Sequence, residues 1–390
     1  MMGHGVAASA VGIEIAHTVT WIETVRVDDY PLTSRSTLRG RWEAKTEILD
    51  RGHVRETVSR SSVSRGKRGE EMRKLRIAAL TMAATLLVVG LTVPFGTARA
   101  RSKRSLNFKS IDVALPGVTL TAAFGINAQG DIVGRYAVGS VGHGYLLSDG
   151  TYTTIDAPDG VGRTQAQGIN EEGQIVGQYT VPVRTDVDPA GVFTRSFLRD
   201  PDGTFSSIQF PGANNTLAIK ISPRGKVVGC FHNLSGDFPT TMHGFVLQDG
   251  NYEEFPVPGS MHNGITRNGL TIVGVVFLDF TTFHAYMVHH GVSQMIDPPD
   301  AVVSDARDVN PSGEIVGFFV DSANKTHGFL LREGDFTTID FPGEDVVSTQ
   351  ARGINPQGDI VGFYVSKDAS GVSHTHGFVA TRNKDEDEDK

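Results

Sequence analysis

A single cysteine, Cys230, stands in 390 residues, so no intramolecular disulfide is available. Aromatic residues make up 8% of the chain, and Lys and Arg (36) are outnumbered by Asp and Glu (44). That acidic balance excludes the basic footprint through which proteins bind nucleic acid. There is no Gly-x-Ser-x-Gly, no His-Glu-x-x-His, no phosphate-binding Gly-Lys-Ser/Thr and no Ca²⁺ loop. The common carriers of nucleophilic, metal and phosphoryl chemistry are therefore missing.

What is present is glycine, 45 residues of it, in a repeated phrase. Residues 354–364, Ile-Asn-Pro-Gln-Gly-Asp-Ile-Val-Gly-Phe-Tyr, read as strand, tight turn, strand. Asn355 folds its side chain onto the backbone ahead, Pro356 presets the next φ, and Gly358 supplies the positive φ. Such a turn joins antiparallel strands through a type I turn and a G1 bulge. The phrase recurs at 126–136, 169–179, 221–231, 265–276 and 309–319. Its second glycine (Gly134, Gly177, Gly229, Gly274, Gly317, Gly362) returns every 43 to 52 residues, a period of propellers and similar arrays.

Each repeat holds four strand candidates, a to d. In the fifth they are 302–309, 314–320, 327–332 and 335–341. Strand b is an apolar run such as Ile360-Val361, suited to burial on both faces. The glycine after it marks a bulge or a close backbone approach, and close packing between neighbouring blades requires one. Asp149-Gly150, Asp202-Gly203, Asp249-Gly250, His290-Gly291 and Glu333-Gly334 are tight-hairpin signals between c and d. The sixth repeat stops after strand c. Residues 107–112, Asn-Phe-Lys-Ser-Ile-Asp, match strand d of the fifth repeat and precede a similar Pro-Gly corner. A first strand that completes the last blade removes two exposed edges. The expected fold is all-β: a six-bladed β-propeller of four-stranded blades over about residues 106–381, closed by that N-terminal strand.

The first hundred residues lack the pattern. Residues 1–71 hold no copy of the repeat, and the Ser/Arg/Gly-rich run at 60–68 reads as unstructured. Met72-Arg73-Lys74-Leu75-Arg76 opens a basic segment, followed by an apolar run at 77–95 and by Ala98-Arg99-Ala100. These are the n-region, h-region and cleavage site of a secretory signal. The expected organisation is a non-native or disordered extension at 1–71, a signal peptide at 72–100, the propeller at 101–383 and an acidic, disordered tail at 384–390. The competing reading of 72–100 is a membrane anchor, because the apolar run nearly spans a bilayer. After cleavage, residues 101–390 carry 21 Lys and Arg against 34 Asp and Glu, a formal charge of −13.

The recurring Gly-Ile-Asn, Gly-Asp-Ile-Val-Gly and His-(Gly/Ala)-(Phe/Tyr) phrases resemble those of the HAF repeat family of extracellular repeat proteins. The last phrase stands at His143-Gly144-Tyr145, His243-Gly244-Phe245, His284-Ala285-Tyr286, His327-Gly328-Phe329 and His376-Gly377-Phe378. The second repeat departs from it with Arg195-Ser196-Phe197. The resemblance covers essentially all of the chain after residue 100. It implies a bacterial exported protein and transfers no catalytic residue.

Those five equivalent histidines are read as anchors of their own blades, since propeller symmetry holds equivalent atoms apart and a metal needs three or four ligands around one ion. No metal or cofactor is expected. Asp112, Asp156, Asp297 and Asp340 recur at the end of strand d, where identical placement argues for corner caps on backbone N–H groups rather than an acid–base pair. Gln209 and Pro256 replace them in the other two repeats. Cys230 follows Gly229 where other repeats place Arg, Gln, Val or Phe, so it reads as a packing residue.

Function is expected from the loops. The a–b and c–d turns are short and uniform, while the b–c loops at 180–194, 233–242 and 279–282 vary in length and content. Variable loops on a rigid scaffold are where binding concentrates. Phe193, Phe238 and Phe280 stand in those loops as a candidate aromatic patch for a sugar ring or an apolar peptide; the alternative is that they cap the core. The leading reading is a secreted, extracellular or periplasmic, monomeric, non-catalytic binding module for a glycan or peptide. It has no nucleic acid partner, and no membrane partner unless the signal segment is retained. The alternative is an extracellular propeller enzyme of polysaccharide lyase or hydrolase type.

Overall fold

The computed structural model describes residues 106–234 and 242–382, and two short strands. Those strands, Ile48–Leu49 and His53–Val54, pair antiparallel with Ile48 opposite Val54. The signal segment at 72–100, the tail at 384–390 and the rest of the 1–71 extension lie outside the described residues.

The main unit is all-β. Strand β1 (Leu106–Ile111) precedes a first antiparallel meander of β2 (Val118–Ile126), β3 (Ile132–Val138), β4 (Val141–Ser148) and β5 (Thr151–Ile155). The second contains β6 (Thr164–Ile169), β7 (Ile175–Pro182), β8 (Val192–Arg199) and β9 (Phe205–Ile208). The third contains β10 (Asn215–Ile221), β11 (Val227–His232), β12 (His243–Gln248) and β13 (Asn251–Glu254). The fourth contains β14 (Ser260–Ile265), β15 (Thr271–Phe277), β16 (Phe283–His289) and β17 (Val292–Met295). The fifth contains β18 (Ala301–Val309), β19 (Ile315–Asp321), β20 (Thr326–Arg332) and β21 (Asp335–Ile339). The sixth contains β22 (Val346–Ile354), β23 (Ile360–Lys367) and β24 (Ser373–Arg382).

The first strand supplies the fourth strand of this last meander. β1 runs antiparallel to β24 from Leu106 opposite Arg382 to Ile111 opposite Gly377. Meanders two, three and four are separate four-stranded sheets. The other three are linked into twelve strands by the single parallel pairs Thr326–Ser348 and Thr375–Leu120. Among the described residues no sheet closes on itself.

The turn chemistry appears as the sequence implies. In the sixth meander the Gly358 N–H donates to the Asn355 carbonyl at 3.0 Å, Asn355 Oδ1 accepts from the Asp359 N–H at 2.8 Å, and Gly358 has φ +84°. Asn127 and Asn310 extend the same device outward. Their Nδ2 atoms donate to the carbonyls of Asn170 and Asn355 in the following meander, at 3.3 Å each.

The glycine after the apolar pair answers to a different contact from the one expected. At Gly362 a Cβ would meet the Phe378 ring at 2.8 Å and the Gln350 carbonyl closer still, both within its own meander. The first strand of every meander carries a bulge opposite this glycine, as between Ala351 and Gly353, which pushes its carbonyl inward. Packing between neighbours falls instead to the glycine on the first strand: a Cβ at Gly125 would meet the Gln167 carbonyl at 3.0 Å.

The core lies between consecutive meanders. Val361 of the sixth joins Tyr136 and Tyr145 of the first, and Val133 of the first joins Ile169 and Phe197 of the second. The third strands each sink one aromatic ring completely, Tyr145, Phe197, Phe245, Phe329 and Phe378 among them. Each such ring contributes roughly 2–3 kcal/mol by burial.

Candidate functional site

The bulges decide what faces the inside. Each inserts one extra residue on the first strand: Phe124, Gln167, Ile219, Asn263, Arg307 and Arg352. A bulge re-aims its side chain, and these six, with Lys220, line one inner cavity. Its free space is about 10 Å³, room for one water-sized species.

The cavity is polar and lopsided. Lys220 and Asp308 stand where the other four meanders have the packing glycine, and they pair with each other at 2.5 Å across the fourth meander. Asp308 also accepts from the Ile354 N–H at 3.1 Å. Asp305 pairs with Arg307 at 2.6 Å and accepts from Asn263 Nδ2 at 2.8 Å. Burial raises the Asp305 carboxyl above its usual range, and the two arginines only partly oppose this. Arg352 has no carboxylate partner; it lies over the Phe124 ring at 5.1 Å. Burial, then the adjacent Arg307, holds its guanidinium well below the ordinary value. Among the described residues, buried Arg307 Nε and Asn263 Oδ1 have no hydrogen-bond partner.

At the loop end of the strands the histidines and aspartates meet. His143 Nδ1 lies 3.0 Å from both carboxylate oxygens of Asp156, His327 Nδ1 2.9 Å from Asp340, His284 Nδ1 3.2 Å from Asp297, and His376 Nδ1 3.0 Å from Asp112 just beyond β1. The aspartates therefore bind imidazole and do not cap backbone N–H groups as expected, because the end of strand d lies beside the start of strand c. An aromatic ring of the second strand stacks on the imidazole in three of these, as Tyr364 does on His376 at 5.0 Å. Where the sequence departs, the partners change together. Arg195 replaces histidine, donates to the Asn214 carbonyl and lies over Phe193, while Gln209 donates to the Ala213 carbonyl. His243 pairs with Glu254 at 3.0 Å.

Sequence reasoning missed a set of hydroxyls. Thr121, Thr164, Thr216, Ser260, Ser304 and Thr349 are all buried. The threonines accept the N–H of the corner residue before them: Val113, Ala157, Phe210 and Phe341, at 3.0–3.3 Å. The signal was available, a Ser or Thr four residues before the packing position in every repeat.

Of the three candidate loop residues the described structure holds two, Phe193 and Phe280. Phe193 is 8% exposed because β7 and β8 run on past it, pairing it with Val181. Phe280 is 70% exposed, Phe238 lies outside the described residues, and no ring contact joins Phe193 to Phe280. Cys230 is fully buried, and burial pushes its thiol up to about 12, so it is an inert packing group. Among the described residues no cluster of three His, Cys, Asp or Glu is placed to hold a metal, and no helix is long and apolar enough to cross a membrane.

No family model and no curated protein matches the chain. Among solved structures it is similar to TolB from Acinetobacter baumannii, at 14% identity and TM-score 0.41 over 58% of this chain and 54% of that one. The gluconolactonase XC5397 from Xanthomonas campestris gives 13% and 0.42 over 71% and 95%. The β-propeller domain of the Trilobed protease from Pyrococcus furiosus gives 10% and 0.37 over 66% and 95%. The chain thus spans about half the length of TolB, and likeness at this level carries no argument about activity. The class rests on the topology itself: an all-β protein of the β-propeller type, built from repeated four-stranded antiparallel meanders.

Proposed function

We propose that the chain is an exported repeat protein whose six meanders are the blades of a closed β-propeller, acting as a non-catalytic binding module. Closure is supported by the pairing of β1 with β24 and by Gly353, where a Cβ would meet the Phe124 carbonyl of the first meander at 2.8 Å. Export is supported by the basic, apolar and small-x-small run of residues 72–100, and the HAF-type phrases agree with it. The secreted chain then starts at Arg101, which mass spectrometry of its N-terminus checks.

One observation carries the binding reading. Of the fifteen large apolar side chains exposed among the described residues, twelve lie at the loop end of the strands, including Leu115, Val187, Leu278, Phe280 and Val372. Only Leu270 sits in a turn at the other end, and Val292 and Met295 lie on β17. Apolar side chains concentrated on one face mark a contact surface. A glycan or an apolar peptide is the class of ligand they suit.

The second reading is an extracellular enzyme of polysaccharide lyase or hydrolase type. Asp305 and Asp308, two carboxylates in unequal surroundings, are what favours it. Both are engaged by cations, however, and the cavity's 10 Å³ is far from the roughly 300 Å³ or more of a substrate site. A screen of residues 101–390 against glycan and peptide panels, for binding and for degradation, separates the readings. Binding without turnover is expected; released products would overturn the proposal.

A further inference from the structure

Two meanders have a phenylalanine from the preceding meander filling their outer corner. Phe341, just beyond β21, lies flat on Tyr364 with ring centroids 3.7 Å apart and planes 7° apart. Its other neighbours are Phe108 at 5.6 Å and Phe378 at 6.1 Å. Phe210, just beyond β9, repeats the arrangement on Phe231 at 3.6 Å and 7°, with Tyr252 at 5.3 Å and Phe245 at 6.1 Å. The N–H of each phenylalanine donates to a threonine hydroxyl, Thr349 or Thr216, at 3.0 Å.

The first meander has the same aromatic trio and no such phenylalanine. Tyr136, Tyr145 and Tyr152 occupy the matching strand positions, and Tyr145 and Tyr152 meet at 5.4 Å as Phe245 and Tyr252 do at 5.6 Å. The corner residue whose N–H donates to the matching threonine, Thr121, is Val113. A valine reaches less far than a ring, and a cavity of about 150 Å³ lies beside it. Val113, Ala114, Leu115, Thr154 and the three tyrosines line it. Leu115 is half exposed, so the cavity opens to solvent. The second meander has Ala157 at this corner, but there the chain turns in, with Gly160 set against Tyr179.

The Tyr145 hydroxyl is sealed from this open cavity, and the Tyr136 hydroxyl is already bonded to Thr154 Oγ1 at 2.8 Å, so the corner offers a ring face rather than a polar anchor.

We infer that this cavity binds a small aromatic ring, stacked on Tyr136 in the place that Phe341 and Phe210 take in their own corners. The space suits the ring: a mostly apolar cavity of this order accommodates benzene. The inference goes beyond the loop-face reading and does not depend on it. The ring is either a free small molecule or an aromatic side chain of a peptide, and the test distinguishes them.

The experiment uses residues 101–390 with p-cresol, toluene and N-acetyl-tyrosinamide, read by calorimetry and by Tm, which rises with any ligand that binds only the folded state. One p-cresol or one toluene per chain is expected. Binding of N-acetyl-tyrosinamide as well points to a peptide side chain as the source, and its exclusion points to a free aromatic molecule. Val113→Phe should abolish binding of both and raise Tm, and Phe341→Val should create a second site. Unchanged binding in Val113→Phe, or no binding of either by the parent protein, would each overturn the proposal.

Discussion

The two ends of the strands follow different rules. At the turn end, the hydrogen bonds that form each turn are local and nearly identical from one repeat to the next: asparagine or a hydroxyl residue opens the turn, and glycine closes it. Asn127 and Asn310 each add one bond to the following meander. Asn127, Asn170, Asn310 and Asn355 each accept the N–H of a glycine three residues on. At the loop end, the polar partners come from different strands, and the loops differ. His376 on β24 meets Asp112 just beyond β1, 264 residues away, while exposed Leu278 and Phe280 sit on a loop of the fourth meander. The scaffold is thus uniform at the turn end and variable at the loop end, the division expected of a rigid frame that carries binding on one side.

The largest way to break this comparison is to remove the strand that ties the ends together. Deleting residues 106–112 takes β1 from β24, exposes an edge and orphans His376. A fall in Tm of many degrees is expected, against almost none for deleting 384–390. Equal melting curves for the two truncations would contradict the paired first strand.

Next in size is a methyl group inside the frame. Gly362→Ala drives a Cβ into the Gln350 carbonyl and the Phe378 ring. Overpacking of this kind costs about 1–3 kcal/mol, and a backbone carbonyl in the way puts it at the upper end. Gly130→Ala, in open space at the turn end with φ +89°, should cost only about 1–2 kcal/mol. Urea denaturation of both variants checks the order.

An effect that is smallest at neutral pH and grows as pH falls sits in the fourth meander. His262 stands where the other five have alanine, is fully buried, and bonds to the Tyr286 hydroxyl at 2.5 Å. Burial lowers its pKa from 6.5 to about 3. The unfolded chain therefore takes up the proton first as pH falls. The neutral imidazole's stability is fully present above about pH 6.5 and is lost towards pH 3, at about 1.4 kcal/mol per pH unit. His262→Ala should flatten that part of the stability–pH profile relative to the parent protein. Parallel profiles for the two would contradict a buried neutral imidazole.

How much of this was legible in the sequence follows from the range of the interactions. The turn at Asn355–Gly358 is a matter of four residues, and its chemistry is written locally. The match of residues 107–112 to a fourth strand was also legible, because a strand's apolar alternation survives displacement along the chain. The pairing of His143 with Asp156 had a signal, the constant spacing of thirteen residues shared by His284 with Asp297 and His327 with Asp340. Each residue type was instead read by itself, as anchor and as cap. The inner cavity was not legible, because it depends on bulges that turn Arg307 and Arg352 inward, and no residue type announces a bulge here. Phe193 was placed in a loop because the strands flanking it are longer than the sequence pattern suggests.

The central claim is that the loop end binds and the turn end does not. Amide hydrogen exchange of residues 101–390, with and without the tightest ligand from the glycan and peptide panels, tests it most directly. Protection is predicted in the loops around residues 183–191, 278–282 and 368–372, with the turns at 127–130 and 355–358 unchanged. Protection confined to those turns, or no ligand from either panel, would contradict it.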